Sequence, residues 1–386
     1  MGSNNDESAA SPNSGSLTNT YSCDPRRVII DPDGDLSLKV GETKCLLEDV
    51  SQGGDDSRRC DRASDHQHKL PVIYVVCSKT LSRASPVWKT LLYGGFAESK
   101  PPCASNASDW VVELPDDNPK AMATVLNIIH SRYESVPRAT DLINLEDFYQ
   151  LAVLTDKYNL TAILRPWASS WLKALKDKHK AWRREGTKPV VSDLERLSWI
   201  AWEMGDRKLF ETASIDLALH CSVDANGDLQ NNTGKEIVTL FNSSLEPPEL
   251  HDQMKAARLR GIESLLALYG SVIAKLLEKR SASLDGSESF CQVCEPAILG
   301  TIVRSLAWCG YWPLPAAIDV QKDITQLASD LKTIDLYRRE HRYKVQVCVG
   351  LKDRDETISN ILKSNQLQVT RSQRAHLAQQ AGKSGL

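Results

Sequence analysis

Val72-Ile73-Tyr74-Val75-Val76-Cys77-Ser78-Lys79-Thr80-Leu81-Ser82-Arg83-Ala84-Ser85-Pro86-Val87-Trp88 is the stretch that decides the fold. Its first five residues are β-branched or aromatic without a break and follow Pro71. That is the composition of a central strand covered on both faces. From Thr80 the period changes. Leu81, Ala84, Val87, Trp88 and Leu91 recur at helical spacing over residues 80–93, and Gly94-Gly95 ends the run. A strand that passes straight into a helix predicts a sheet with helices packed on it.

Working outward, Leu36-Ser37-Leu38-Lys39-Val40 alternates with period two and predicts a half-buried strand. Residues 43–50 extend this as a further strand. Residues 51–69 hold Gly53-Gly54 and scattered Asp, Arg and His without an apolar period, and read as a flexible, solvated insertion. Trp110-Val111-Val112-Glu113-Leu114 predicts a third strand. On it Trp110, Val112 and Leu114 share one face and Val111 and Glu113 the other. Met122, Val125, Leu126 and Ile129, then Phe148, Leu151, Leu154 and Tyr158, each trace one face of a helix. From Leu160 onward the patterning is helical, apart from a strand candidate at 344–349. Ser192-Asp193-Leu194-Glu195 has the spacing of a capping box. The expected class is α+β: a short mixed sheet capped by helical hairpins, followed by an all-α C-terminal region. The expected division is a disordered Ser/Asn/Asp-rich tail at 1–27, a domain at 28–175 carrying the 51–69 insertion, a basic linker at 176–191, and a helical region at 192–386.

With 386 residues, 41% of them hydrophobic and 25% charged, the chain has ordinary globular composition. Lys and Arg number 47 against 50 Asp and Glu. That balance excludes a general nucleic-acid coat or a polybasic membrane binder, so neither nucleic acid nor membrane is an expected partner. The basic run at 173–188 reads as a solvated helix end and linker. Ten cysteines would suit a disulfide scaffold, but residues 1–22 lack an apolar signal core. Reduced thiols and a cytoplasmic or nuclear location are therefore expected.

Candidate chemical motifs mostly dissolve. Asp31-Pro32-Asp33-Gly34-Asp35 resembles the start of a calcium loop, but Leu36 stands where the loop needs glycine. An Asp/Gly turn feeding the Leu36 strand is the better reading. Cys291 and Cys294 have zinc-ligand spacing, yet Cys309, His341 and Cys348 downstream form no second tight pair. No structural zinc and no essential disulfide are expected. No phosphate-binding glycine loop, nucleophile elbow or His-Glu-x-x-His motif occurs, so neither a catalytic residue nor a cofactor site is assigned, and an enzyme is not expected.

Five blocks in order carry a resemblance. They are Gly34 through Gly41, Val75 through Trp88, Gly95-Phe96-Ala97-Glu98-Ser99, Val112-Glu113-Leu114-Pro115-Asp116-Asp117 followed by 126–133, and Leu151-Ala152-Val153-Leu154-Thr155-Asp156-Lys157-Tyr158 ending at Trp171-Leu172. Over 31–175 the chain resembles the BTB/POZ domain in the version common among fungal proteins. The resemblance implies a protein-interaction module without an active site. It also implies one of two roles: a substrate adaptor joining a client to a cullin scaffold in a ubiquitin ligase, or a regulatory, transcription-associated protein without a ligase role. Cullin-binding members carry a hydrophobic-x-Glu element near this strand, and Val111-Val112-Glu113 matches it, which marks Val111 and Glu113 as protein-binding residues. The helix and strand that dimerising members exchange are not visible before Val28, so the resemblance implies a monomer or weak homodimer.

Overall fold

The computed structural model describes residues 25–42, 71–103, 106–138, 144–186, 189–232, 237–278, 295–335, 338–341, 344–347 and 353–386. Of the tail expected at 1–27, residues 1–24 lie outside these residues, as do the strand expected at 43–50, the insertion at 51–69 and the Cys291/Cys294 pair, while Arg26 and Arg27 are not disordered but open a strand.

The N-terminal part is a four-stranded mixed sheet. Its strands are β1 Arg26–Ile29, β2 Leu36–Val40, β3 Val72–Val76 and β4 Val111–Leu114, in the order β1-β3-β2-β4. β2 runs antiparallel to β3, and β1 and β4 lie parallel to their neighbours. Leu36, Leu38 and Val40 pair with Val76, Tyr74 and Val72, so one face of the sheet is apolar along its length. Trp110, Val112 and Leu114 continue that face and are buried.

Helices cover it. The run expected as one helix over 80–93 is two, α1 Ser78–Ala84 and α2 Pro86–Tyr93. Pro86 is the reason: its ring drives the preceding residue out of helical space, and Ser85 is extended. The Ser85 hydroxyl accepts from the Trp88 amide at 3.0 Å and donates to the Tyr158 carbonyl at 2.7 Å. Restarting the helix at Pro86 rotates its buried face. Trp88 and Leu92 are fully buried, Leu91 is half-buried and Val87 is exposed, so the helical spacing of Val87 and Leu91 in the sequence does not make them core. Two further helices, α3 Pro119–Ile129 and α4 Leu145–Lys157, bury Met122, Val125, Leu126, Phe148, Leu151 and Leu154 as their periodicity predicts.

The basic linker is not a linker through most of its length. α5 Arg165–Glu185 runs through it and stops at Gly186, whose φ of +67° and amide bond to the Trp182 carbonyl close the helix. Leu172, Leu175 and His179 form a buried stripe at helical spacing, while the lysines and arginines occupy the wet side. The helices α6 Val191–Met204 and α7 Arg207–His220 then pack against α5 and α4. The capping box expected at Ser192 does not form. Ser192 and Glu195 lie inside α6, and Glu195 is buried, accepting from the Phe241 amide and the Ser244 hydroxyl.

The C-terminal region is helical but not all-α. A three-stranded antiparallel sheet, β5 Ser222–Val223, β6 Leu229–Asn232 and β7 Ile237–Thr239, precedes the 28-residue α8 Leu250–Leu277. After α9 Glu295–Trp308 and α10 Ile324–Lys332 come the paired strands β8 Arg338–His341 and β9 Lys344–Val347, the latter at the strand position expected from sequence. The chain ends in α11 Arg354–Ser364 and α12 Arg371–Ser384. Two hydrophobic cores result. One runs from the sheet through α1–α7 to Leu377 of α12, and the other lies among α8–α11. Residues 28–175 therefore share their core with later helices and do not close on themselves. Among the described residues no helix is long and apolar enough to cross a membrane.

Candidate protein-interaction face

The second face of the sheet is where the sequence marks Val111 and Glu113. Strand register sets its composition row by row. Ile29, Val75, Ser37 and Val111 form one row across the four strands, and Arg27, Ile73, Lys39 and Glu113 the next. The middle of the first row is buried, although its ends are not: Ile29 is 56% exposed and Val111 50%. The cover is the Asp31–Asp35 turn. In it the Asp33 amide donates to the Asp31 carboxylate at 3.0 Å, and the Gly34 amide donates to the Asp31 carbonyl at 3.1 Å. Gly34 lies so close to β3 that a Cβ there would stand 2.9 Å from Val75 Cγ1 and from the Val76 amide nitrogen. The turn is thus a structural lid on the sheet. Among the described residues no group of three or more His, Cys, Asp or Glu side chains converges as a metal site.

The same turn carries a polar anchor that sequence reasoning missed. Asp35 accepts from the Ser78 amide and hydroxyl, both at 2.8 Å, and from Lys100 Nζ at 3.1 Å. Partial burial pushes the Asp35 carboxyl up, but the Ser78 hydrogen bonds and the Lys100 charge outweigh it and hold the group below its ordinary range. Lys100 also stands over the Trp110 ring, whose Nε1 donates to the Glu98 carbonyl at 2.9 Å. Through this chain of contacts the 94–100 loop fixes Trp110, and Trp110 fixes the entry to β4.

β4 is a sheet edge. On it Val111 and Glu113 project together away from the core, as the period-two reading predicts. Glu113 has a partner that the sequence does not reveal: Lys39 Nζ lies 2.9 Å from its carboxylate, with the two side chains 38% and 67% exposed. An ion pair this open contributes only ~0.2–1 kcal/mol, so Glu113 can exchange Lys39 for another donor at little cost. A second apolar feature, also missed, lies on α2. Pro86, Val87, Leu91 and Phe96 line an open groove of about 420 Å³.

The buried titratable groups tie elements together. His179 Nε2 and Asp216 are 2.8 Å apart and join α5 to α7, with Arg183 3.3 Å from the same carboxylate oxygen. Asp117 accepts from the Tyr158 hydroxyl at 2.5 Å and from Lys157 at 2.6 Å, anchoring the end of α4 beneath α3. Burial, then the Asp117 charge and hydrogen bond, drive the Tyr158 phenol far above its ordinary range.

No protein-family model, no curated protein and no solved structure matches this chain.

Proposed function

We propose that the chain is a non-enzymatic interaction protein. In this reading residues 28–175 work as a BTB/POZ-type module, and the protein acts as a substrate adaptor for a cullin-based ubiquitin ligase. One observation carries the reading: Val111 and Glu113 stand side by side on the open side of an edge strand whose alternate residues, Val112 and Leu114, are core. Val111 supplies apolar contact and Glu113 a directional charge, paired among the described residues with half-exposed Lys39 alone.

The test is a matched pair of arginine substitutions, each read by thermal melting and by pull-down with a purified cullin. Val111→Arg should leave the melt unchanged and cost more than about 2 kcal/mol of affinity, because interface energy concentrates in a few central residues. Val112→Arg should unfold the sheet by burying an unpaired charge. A folded Val111→Arg protein with undiminished cullin binding, or a wild-type chain that binds no cullin, removes the ligase reading and leaves a regulatory role.

A further inference from the structure

We infer that the groove between α5, α7 and the segment joining α11 to α12 binds an extended acidic peptide of a client protein. The inference deepens the interaction reading by naming the client's chemistry. Its test uses no cullin, so the two can fail separately.

Three observations meet there. The first is a cavity of about 580 Å³ in which the cations Arg183, Arg207, Lys363 and Arg374 face a single acid, Glu211. Arg207 is paired with Glu211 at 2.7 Å and Arg183 with Asp216 at 3.3 Å. Lys363 and Arg374 have no partner among the described residues and are exposed. The chain as a whole carries a formal charge of -3, so this basic rim stands against an acidic background. Such a local excess steers and holds an oppositely charged ligand.

The second observation is the main chain of the wall. Residues 366–369 join extended Asn365 to extended Thr370 and belong to no helix or strand. Their side chains alternate, with Leu367 and Val369 packed on the core and Gln366 and Gln368 exposed. None of their four amides has a hydrogen-bond partner among the described residues. The Gln366 carbonyl already accepts from Arg260 at 3.0 Å, so what the segment offers to a strand-adding peptide is its amides.

The third is the floor. Ile215 and Val369 are half-buried in the cavity, giving alternate apolar side chains of a bound strand a place to rest. A basic rim, a wall with unpaired amides and an apolar floor together specify a peptide in which acidic and apolar residues alternate.

The experiment is fluorescence anisotropy on the full chain with a fluorescein-labelled ten-residue peptide of alternating Glu and Val. Saturable binding is expected, weakening as salt is raised. The double variant Lys363→Glu/Arg374→Glu should keep the wild-type melt and lose at least about tenfold in affinity. The neutral pair Lys363→Gln/Arg374→Gln should lose affinity in the same direction but by less, and it serves if the charge-reversed protein does not fold. A peptide of alternating Lys and Val should not bind, and the Glu/Val peptide with every backbone amide N-methylated should bind at least about tenfold more weakly. The inference is overturned by absence of saturable binding, by unchanged affinity in the folded variants, by full affinity of the N-methylated peptide, or by a single-stranded oligonucleotide that binds as tightly as the peptide.

Discussion

Leu92 is fully buried, and Leu91, one position earlier, is not. The difference comes from Pro86, which restarts the helix, and from Ser85, which caps it. Truncating Leu92 to Ala removes a side chain packed on all sides and should cost ~2–5 kcal/mol. Leu91→Ala removes one that already touches the α2 groove and should cost less than about half as much, while Val87→Ala should be close to neutral. Urea denaturation of the three variants measures the order directly. A Leu91→Ala cost equal to that of Leu92→Ala would mean that α2 is rotated. The facing of Val111 and Glu113 could be read from sequence because a strand has period two. The ion-pair partner of Glu113 could not, because Lys39, 74 positions earlier, reaches it only through the parallel register of β2 and β4.

At the scale of elements, α12 packs back onto the first core and seals it. Leu377 is buried, and Ser384 Oγ donates to the Met204 carbonyl at 2.7 Å. Gly205 has a φ of +77° and touches the α12 backbone at Ala381, where any Cβ would collide. Beside it Glu203 is wholly buried, accepting from the Thr161 hydroxyl and from Gln380 Nε2. Burial is the main cause of its raised pKa. The Asp156 charge adds to the rise, while Thr161, Lys383 and Gln380 oppose it, and the carboxyl ends at about 7. Between 4.5 and about 7 the folded chain holds a proton that the unfolded chain has released. Stability from this group therefore falls as pH rises through that window and levels off above it. A rise from 4.5 to about 7 corresponds to roughly 3 kcal/mol as an upper bound. Glu203→Gln keeps the shape and a neutral hydrogen-bonding end. It should flatten the fall and raise stability at about pH 8 by up to about 3 kcal/mol. Asp156, also raised by burial, keeps a residual slope in the same direction. Urea midpoints of wild type and variant across the window decide it; parallel curves would mean that Glu203 is ionised throughout.

For the whole molecule the consequential feature is the shared core. The sheet, α1–α7 and α12 contribute to one hydrophobic cluster, and half-buried Ile215 of α7 packs against both that cluster and the one among α8–α11. Cutting the chain after residue 175 would remove α6, α7 and α12 from the hydrophobic cluster that they share with Phe148, Tyr149, Leu172 and Leu175. Residues 25–175 expressed alone should therefore melt well below the full chain or aggregate, and the full chain should lose the sheet and α6–α7 in a single transition. Hydrogen exchange resolved by segment tests this; α6 and α7 opening well before the sheet would show two independent units.

What the sequence determined by itself is local. It determined which residues alternate, which recur at helical spacing, and therefore the facing of β4, the buried sides of α3 and α4, and an α+β class. It misjudged α2, the linker within α5 and the cap at Ser192, where a neighbouring residue or a distant partner overrides the local pattern. Glu195 shows why: it has the spacing of a capping residue but is claimed by Phe241 and Ser244, some 46 and 49 positions away. The order of the sheet, the turn over Val75, the return of α12 and the basic groove beside residues 366–369 were decided only by the tertiary structure. Each depends on bringing together segments far apart in the chain, and burial of shared apolar surface, which has no direction along the sequence, is what selects the partners.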